Sequence, residues 1–547
     1  MATTFSFAGK EIKQPGTYAQ IKSAITNPPQ ALDYGKILII DTGSGATFGA
    51  SGGINGELKS GKDAIVEYSS LRAFRDAIGG GIWYRLAEYM FLPNGTGGIG
   101  GASSLQYIRA ALTTAATIDY TFAGGGAAGG TLEISCRDEG IIGNGVETGS
   151  KLVKGFAGVM EAGKKDTAKF VLKFYRGTFA GLDAEGDPFG SPEEQTTPEL
   201  LATSPEFDDI QTIIDWTATS SAFNKRLKLT ANTVVGLGTV DAADLAANTG
   251  NNLAAGGAET FSTTALDDVL DVIAQLDNTY ILSDQFGIDA GSADNFKILL
   301  HLEDESRYIK FLVIGGGLDA DEFNGTATDS VDVAIAFDNE KVVLVHGGIR
   351  VANRFVGEGF KEYDALYHAA FVAGRHAGLP RQAPLSFKGL GYDGLLHELS
   401  TIEQDIALDN GVLFSKFDPE IGQIIVNQGI NTLQANEFLV NDDGTSHEWS
   451  IMAIAAQLHR EILIFSKRDL LVKESGPNRG NPSPADVTSW LEGYLLRKVN
   501  EGLILSFDPN ITIEIQSDAY FINFGFEPNF PINKLFFTGF ILDFSTL

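Results

Sequence analysis

Alternating apolar residues run into both ends of this chain, and a strand cannot satisfy its backbone alone. Toward the C-terminus Ile511, Ile513 and Ile515 alternate with polar residues, and Lys534-Leu-Phe-Phe-Thr-Gly-Phe-Ile-Leu-Asp-Phe-Ser-Thr-Leu547 continues to the last position. Near the N-terminus Thr4-Phe-Ser-Phe7 alternates too, and Gly9 and the Pro15-Gly16 turn separate it from the first buried-type strand. Chain ends fray unless something holds them, and an apolar strand with an open edge invites association. The pattern predicts that both ends add strands to sheets of neighbouring copies. Phe5, Phe7 and Tyr18 would do so from the N-terminal arm, and Leu535, Phe537, Phe540 and Leu542 from the C-terminal strand. An assembly subunit is expected rather than an enzyme.

At 547 residues the chain exceeds one ordinary core, so two to four domains are expected. Its 44% hydrophobic and 20% charged residues suit a globular protein. No apolar run reaches the ~20 residues that span a bilayer, and Met1-Ala-Thr-Thr-Phe-Ser is not a secretory leader, so synthesis in the cytoplasm and no stable membrane insertion are expected. The single cysteine, Cys136, excludes an internal disulfide and reads as a half-buried strand thiol. A formal charge of −30, from 40 Lys+Arg against 70 Asp+Glu, argues against direct nucleic-acid binding. It keeps free subunits apart until specific contacts form.

The expected fold class is α+β and multidomain. Residues 1–30 form an N-terminal arm, whose first twenty residues would span roughly 65 Å if extended. A middle α/β domain takes residues 31–114 and 263–394. Its expected elements are a strand at Lys36–Asp41, helices at Ala64–Ile78 and Ile82–Phe91, a strand at Leu105–Arg109, a helix at Leu266–Leu276, strands at Phe296–Leu302, Ile309–Ile314 and Val342–Val345, and a helix at Asp364–His376. An outer β-rich insertion, residues 115–262, carries Gly-rich loops that suit the outside of a particle. An inner mixed α/β C-terminal domain, 395–530, carries two helices, and 531–547 is the C-terminal arm. The first helix opens on Thr445-Ser-His-Glu448 as a capping box and runs through Ile454, Leu458, Ile462 and Phe465. The second opens on Ser483-Pro-Ala-Asp486 and lines up Val487, Trp490, Leu491, Tyr494 and Leu495.

Catalytic and metal signals are weak, and neither a catalytic site, a metal nor a cofactor is expected. Gly56-Glu-Leu-Lys-Ser-Gly-Lys-Asp63 approaches a phosphate-cradling loop but ends in a carboxylate where a magnesium-binding hydroxyl belongs. A nucleotide-binding enzyme using Gly56–Asp63 is the competing class. None of the seven histidines makes a His-x3-His pair, and each reads as a surface or satisfied core residue. The basic residues carry more information in so acidic a chain. Arg460, Lys467, Arg468 and Lys473 cluster on and after the first C-terminal helix, with Arg497 and Lys498 at the end of the second. Helix C-termini favour cations, and a positive face docking an acidic partner is the functional alternative.

Several segments, taken in order, are similar to the contractile tail sheath proteins of phages and related injection machines. Pro15-Gly-Thr-Tyr18 resembles the family's Pro-Gly-Val-Tyr arm, and Asp138-Glu-Gly-Ile-Ile-Gly-Asn144 its Gly-Asn turn. Tyr363–Pro380 resembles the helix before the family's Ala-Pro stretch, here Arg381-Gln-Ala-Pro384. Asn427-Gln-Gly-Ile-Asn-Thr-Leu433, the Arg460 helix, Arg479-Gly-Asn481, the second helix and the terminal strands then follow in the family's order. Thr17 and Val345-His-Gly-Gly depart from the pattern.

The resemblance implies a helical, six-start cylinder of identical subunits around an inner tube. Neighbours are joined by arm strands, and the inner domain faces the tube through Arg460, Lys467, Arg468, Arg497 and Lys498. It also implies the tail tube, baseplate and tail terminator proteins as partners. The implied location is the tail of a virion assembled in the host cytoplasm, or else the sheath of a cell-encoded extracellular injection system.

Overall fold

A computed structural model describes residues 5–7, 10–12, 34–41, 65–78, 82–93, 100–109, 111–112, 115–122, 130–139, 146–148, 151–154, 156–166, 169–176, 199–224, 227–232, 251–252, 260–261, 263–283, 298, 301–302, 306–316, 329–352, 360–434, 446–471, 482–516 and 519–530. Its centre is a seven-stranded sheet in the order Val412–Leu413, Val342–Val345, Phe311–Gly315, Tyr280–Ser283, Lys36–Asp41, Ser104–Arg109, Val66–Tyr68. All neighbours are parallel except the last pair. Strands reading Val-Val-Leu-Val or Phe-Leu-Val-Ile are apolar on both faces, which suits a sheet covered on both sides.

Helices supply that cover and also help to build the other parts of the molecule. They are α1 (Leu71–Ile78), α2 (Ile82–Phe91), α3 (Ile210–Thr219), α4 (Ser221–Asn224), α5 (Thr263–Gln275), α6 (Ser330–Phe337), α7 (Ala365–Gly378), α8 (Thr401–Asp409), α9 (Trp449–Ser466) and α10 (Pro484–Asn500). Phe74, Trp83, Phe371 and Trp449 bring α1, α2, α7 and α9 onto one face. Leu270, Ala334 and Ala407 bring α5, α6 and α8 onto the other.

Two expected elements differ. Residues predicted as one helix from Ala64 divide into the edge strand Val66–Tyr68 and helix α1. Ser70 Oγ accepts from Ala73 N at 3.2 Å, restarting the backbone there. The strand predicted at Phe296–Leu302 is helical at 298 and 301–302. Ile298 and Leu302, both buried in the second core, have the four-residue spacing of a helix face.

Residues 115–252 build a separate core from two antiparallel sheets with α3 and α4, where Tyr120, Ile134, Leu172, Phe174, Ile213 and Phe223 meet. Cys136 lies here, fully rather than half buried. The strands Ala111–Leu112 and Thr260–Phe261 pair antiparallel, so the chain leaves the central body and returns to it side by side.

Helix α7 is buried along most of its length, and Asp364 caps it by accepting from Leu366 N and Tyr367 N. Its His368 is closed in. Nδ1 donates to the carbonyls of His346 and Gly347 at 3.0 Å, while Nε2 meets Ser415 Oγ at 2.8 Å and Tyr392 OH at 3.0 Å. Burial lowers its pKa to about 4, although the two carbonyls oppose the shift. His376 shifts the same way, through burial and then the nearby Arg381 charge. The unfolded chain takes up a proton near pH 6.5 and the folded chain resists it, so the stabilisation is complete above pH 6.5 and declines as pH falls toward 4. His368 alone is expected to remove up to about 3 kcal/mol across that window. Urea midpoints of the monomer at pH 7.5 and 4.5 test this, and His368→Gln should flatten the decline; equal midpoints would contradict a neutral buried imidazole.

Candidate functional site

The region bearing the predicted basic residues and the terminal strands is the helix pair α9–α10. Helix α10 starts as its residues predict. Ser483 Oγ accepts from Asp486 N at 3.3 Å, Asp486 Oδ2 accepts from Ser483 N at 2.8 Å, and Pro484 fills the first turn. Helix α9 does not use the predicted capping box. It begins at Trp449 with Glu448 at the cap position and no side-chain cap bond. The buried Glu448 carboxylate accepts from Gln428 Nε2 instead. The helices pack through Ile454, Leu458, Ile462, Leu491, Tyr494 and Leu495.

A polar junction joins this pair to the central sheet. Glu461, wholly buried, takes four donors: Tyr34 OH at 2.9 Å and Gln457 Nε2 at 2.7 Å on Oε1, Tyr494 OH at 2.8 Å and Lys498 Nζ at 2.7 Å on Oε2. Burial pulls the Lys498 ammonium below its ordinary pKa, with Glu461 working against the shift. Burial first, then the Glu461 charge, pushes the Tyr34 phenol far above its ordinary value, so it stays a donor.

The preceding residue of α9 points to the sheet. Arg460 Nη1 donates to the Asp277 carbonyl at 2.8 Å and Nη2 lies 3.4 Å from the Asp277 carboxylate. Asp277 also pairs with Lys36 at 2.9 Å, and Lys36 reaches Glu67 at 2.8 Å. Burial raises the pKa of the Asp277 carboxyl, but the Lys36 hydrogen bond and charge outweigh it and hold the group low. Lys310, buried beside Arg460, donates to Asn278 Oδ1 at 2.9 Å, and burial and the Arg460 charge bring it to about 7. Arg381 donates to both the Tyr34 carbonyl and Tyr280 OH, and Tyr280 OH meets His376 Nδ1 at 2.8 Å.

This arrangement corrects part of the basic-face expectation. Arg460 and Lys498 do not face a partner; both are buried and spent inside the subunit. Helical phase explains it, since Arg460 lies on the sheet side of α9 and Lys498 shares the stripe of Leu491, Tyr494 and Leu495. Lys467, Arg468 and Arg497 are exposed. Arg468 pairs with its neighbour Asp469 at 2.6 Å, and the Arg497 guanidinium lies 5.8 Å from the Tyr494 ring centroid. The junction was missed from sequence, although Arg460-Glu461 in the middle of an apolar helix was its signal.

After α10 the chain forms a long antiparallel ribbon. Ile504–Phe507 pairs with Phe526–Pro528, and Thr512–Gln516 with Ala519–Asn523. Ile504 is buried, and Ile511, Ile522, Phe524 and Phe526 pack onto the helix pair, while Tyr520 OH bonds the Pro482 carbonyl at 3.0 Å. Leu505 and Ile515 are 51% and 57% exposed. Among the described residues each part of the ribbon has two strands only. Phe5 and Phe7 lie in a strand paired with Lys10–Ile12. Tyr18, Leu535, Phe537, Phe540 and Leu542 lie outside the described residues, as does Gly56–Asp63. Among the described residues no cluster of three metal-ligating side chains occurs, and no helix is long and apolar enough to cross a membrane.

No family model matches the chain. It is 23% identical over 483 residues to the tail sheath protein of Bacillus phage SP01, a match covering 78% of this chain and 76% of that protein. Its fold is similar to that of a sheath tail protein from Desulfitobacterium hafniense, with a TM-score of 0.57 and 17% identity over 94% of this chain and 97% of that one. A sheath tail protein from Listeria innocua gives a TM-score of 0.54 and 16% identity over 91% and 93% of the two chains. All three of these relatives are tail sheath proteins.

Breaking the junction from one side should be costly. Lys498→Met leaves the Glu461 carboxylate buried without its cation and should destabilise the protein by about 3–5 kcal/mol. Adding Glu461→Gln should restore part of the loss, because the neutral amide needs no cation and its oxygen still accepts hydrogen bonds. Denaturant midpoints of the single and double variants check this; a double variant no better than the single one would contradict it.

Proposed function

We propose that this chain is a structural subunit of a contractile tail sheath, whose copies are joined through the strands at their ends. The ribbon is the observation that supports this most. A two-stranded ribbon is marginal in water, and here an exposed strand carrying Ile515 forms one of its edges. Such an edge is a template for an added strand. The strand Phe5–Phe7 has a single partner among the described residues, so it has a second edge to offer.

An added strand making about four to six backbone bonds at ~1 kcal/mol net contributes several kcal/mol. Links of that strength outlast the weaker surface contacts that exchange when subunits repack as rigid bodies. Copies would stack as a six-start helical cylinder around a tail tube. Contraction would then drive the tube through a target envelope, the work coming from the difference between two packings and not from a nucleotide. Lys467, Arg468 and Arg497 would meet an acidic tube surface, in an otherwise acidic subunit. Baseplate and terminator proteins would bind the ends of the cylinder in the virion tail. A cell-encoded injection system uses the same architecture and is the second reading.

Deleting residues 1–15 should yield folded, soluble subunits that form no long sheaths by negative-stain microscopy. Sheaths of ordinary length from the truncated chain would reject strand exchange through the N-terminal arm. Reversing the charges of Lys467, Arg468 and Arg497 should weaken co-assembly with the tube and leave the monomer's stability unchanged; undiminished co-assembly would reject the docking role.

A further inference from the structure

Tyr34 stands between the N-terminal segment and the first strand of the central sheet, and its surroundings differ from those of an ordinary strand entrance. Its hydroxyl reaches Glu461 of α9, 427 residues away in sequence. Its carbonyl accepts from Arg381. Two guanidinium groups lie over its ring, Arg381 5.6 Å and Arg460 5.3 Å from the ring centroid. The following two residues are held as firmly. Gly35 O accepts from Ser103 N at 3.0 Å, and a Cβ on Gly35 would lie 2.9 Å from Ser103 Oγ, so the backbone is pressed against that segment. Lys36 closes the sequence with its ion pairs to Asp277 and Glu67.

Two of the three side-chain partners of Tyr34 belong to the helix pair, and the third, Arg381, follows α7 and also bonds Tyr280 of the central sheet. Glu461 and Arg460 lie on α9, and Glu461 is in turn held by Tyr494 and Lys498 of α10. The ribbon also rests on α9 and α10. The entry point of the N-terminal segment and the ribbon are therefore attached to the same pair of helices, by a polar contact and an apolar one.

We infer that Tyr34 is a positioning residue that fastens the root of the N-terminal arm to α9–α10, so that a load on the arm enters the subunit at the helix pair as well as through the first strand of the sheet. The inference rests on the proposed addition of the arm to a neighbour's ribbon. The path then runs from α9–α10 through Tyr34 and the arm to the ribbon of the next copy, and so to that copy's α9–α10. The polar character of the fastening suits the role, because hydrogen bonds and stacked guanidinium groups fix a direction that apolar packing alone does not.

Two readouts on the full-length chain test this. Hydrogen exchange on the monomer does not depend on assembly. Tyr34→Phe keeps the ring and removes the Glu461 bond, and the amides at 35–37 should exchange about tenfold faster while those of α9 and α10 keep their protection. Unchanged exchange at 35–37 would overturn the fastening. The second readout is the length of assembled sheaths after controlled shear. Tyr34→Ala sheaths should form through their intact arms and then fragment, whereas Tyr34→Phe sheaths should fall between that variant and the parent. Tyr34→Ala sheaths as shear-resistant as the parent's would overturn the force path. If strand addition itself is wrong, the chain lacking residues 1–15 still assembles, a result that leaves the exchange experiment standing and so separates the two failures.

Discussion

A carboxylate sealed from water must be given hydrogen bonds by the protein, and Glu461 receives them from four side chains on three parts of the chain. Each donor is costly to lose because the medium is poor in alternatives. That requirement ties the entrance of the first sheet strand to the helix pair, whose members α9 and α10 also share an apolar core. Asp277, one helix face away, does the same for the starts of the strands Lys36–Asp41 and Tyr280–Ser283 through Lys36 and Arg460. The two carboxylates turn a helix pair that could have packed loosely on the sheet into a fixed attachment.

Apolar packing sets the rest of the architecture in three separate pieces. The sheet is buried on both faces, the 115–252 unit keeps its own core, and the helix pair shares a third with the ribbon. Burial has no direction, so these pieces specify which surfaces touch and not the angle at which they are held. Angles come from the polar junction and from close backbone contacts such as the approach of Gly374 to Met90, where a Cβ would sit 2.6 Å from a carbonyl oxygen. Under the proposed sheath role that division has a use. Rigid bodies linked at a few polar points can change partners at their surfaces and keep their internal cores.

Charge follows the same logic. A subunit at −30 repels its copies at long range. Among the described residues, two of the cations gathered near its C-terminal helices pair with Glu461 and Asp277 of the same subunit, and three remain at the surface; Lys473 lies outside the described residues. A cluster of basic letters overstates a docking face whenever part of it is consumed by buried acids.

The strands Lys36–Asp41 and Val342–Val345, helix α2 and the start of α10 were legible one residue at a time, because each depends on neighbours a few positions away: a run of β-branched residues, a 3.6-residue stripe, a serine three residues before an aspartate. The alternation of Ile511, Ile513 and Ile515 likewise determined a strand. What decided the orientation of Arg460 and Lys498, the absence of a capping box at Glu448 and the role of Tyr34 was tertiary structure alone. Those outcomes turn on partners such as Asp277, 183 residues from Arg460, and Glu461, 427 residues from Tyr34. A charge declares its sign in the sequence, but whether it meets solvent or a buried opposite charge is settled only when distant segments pack.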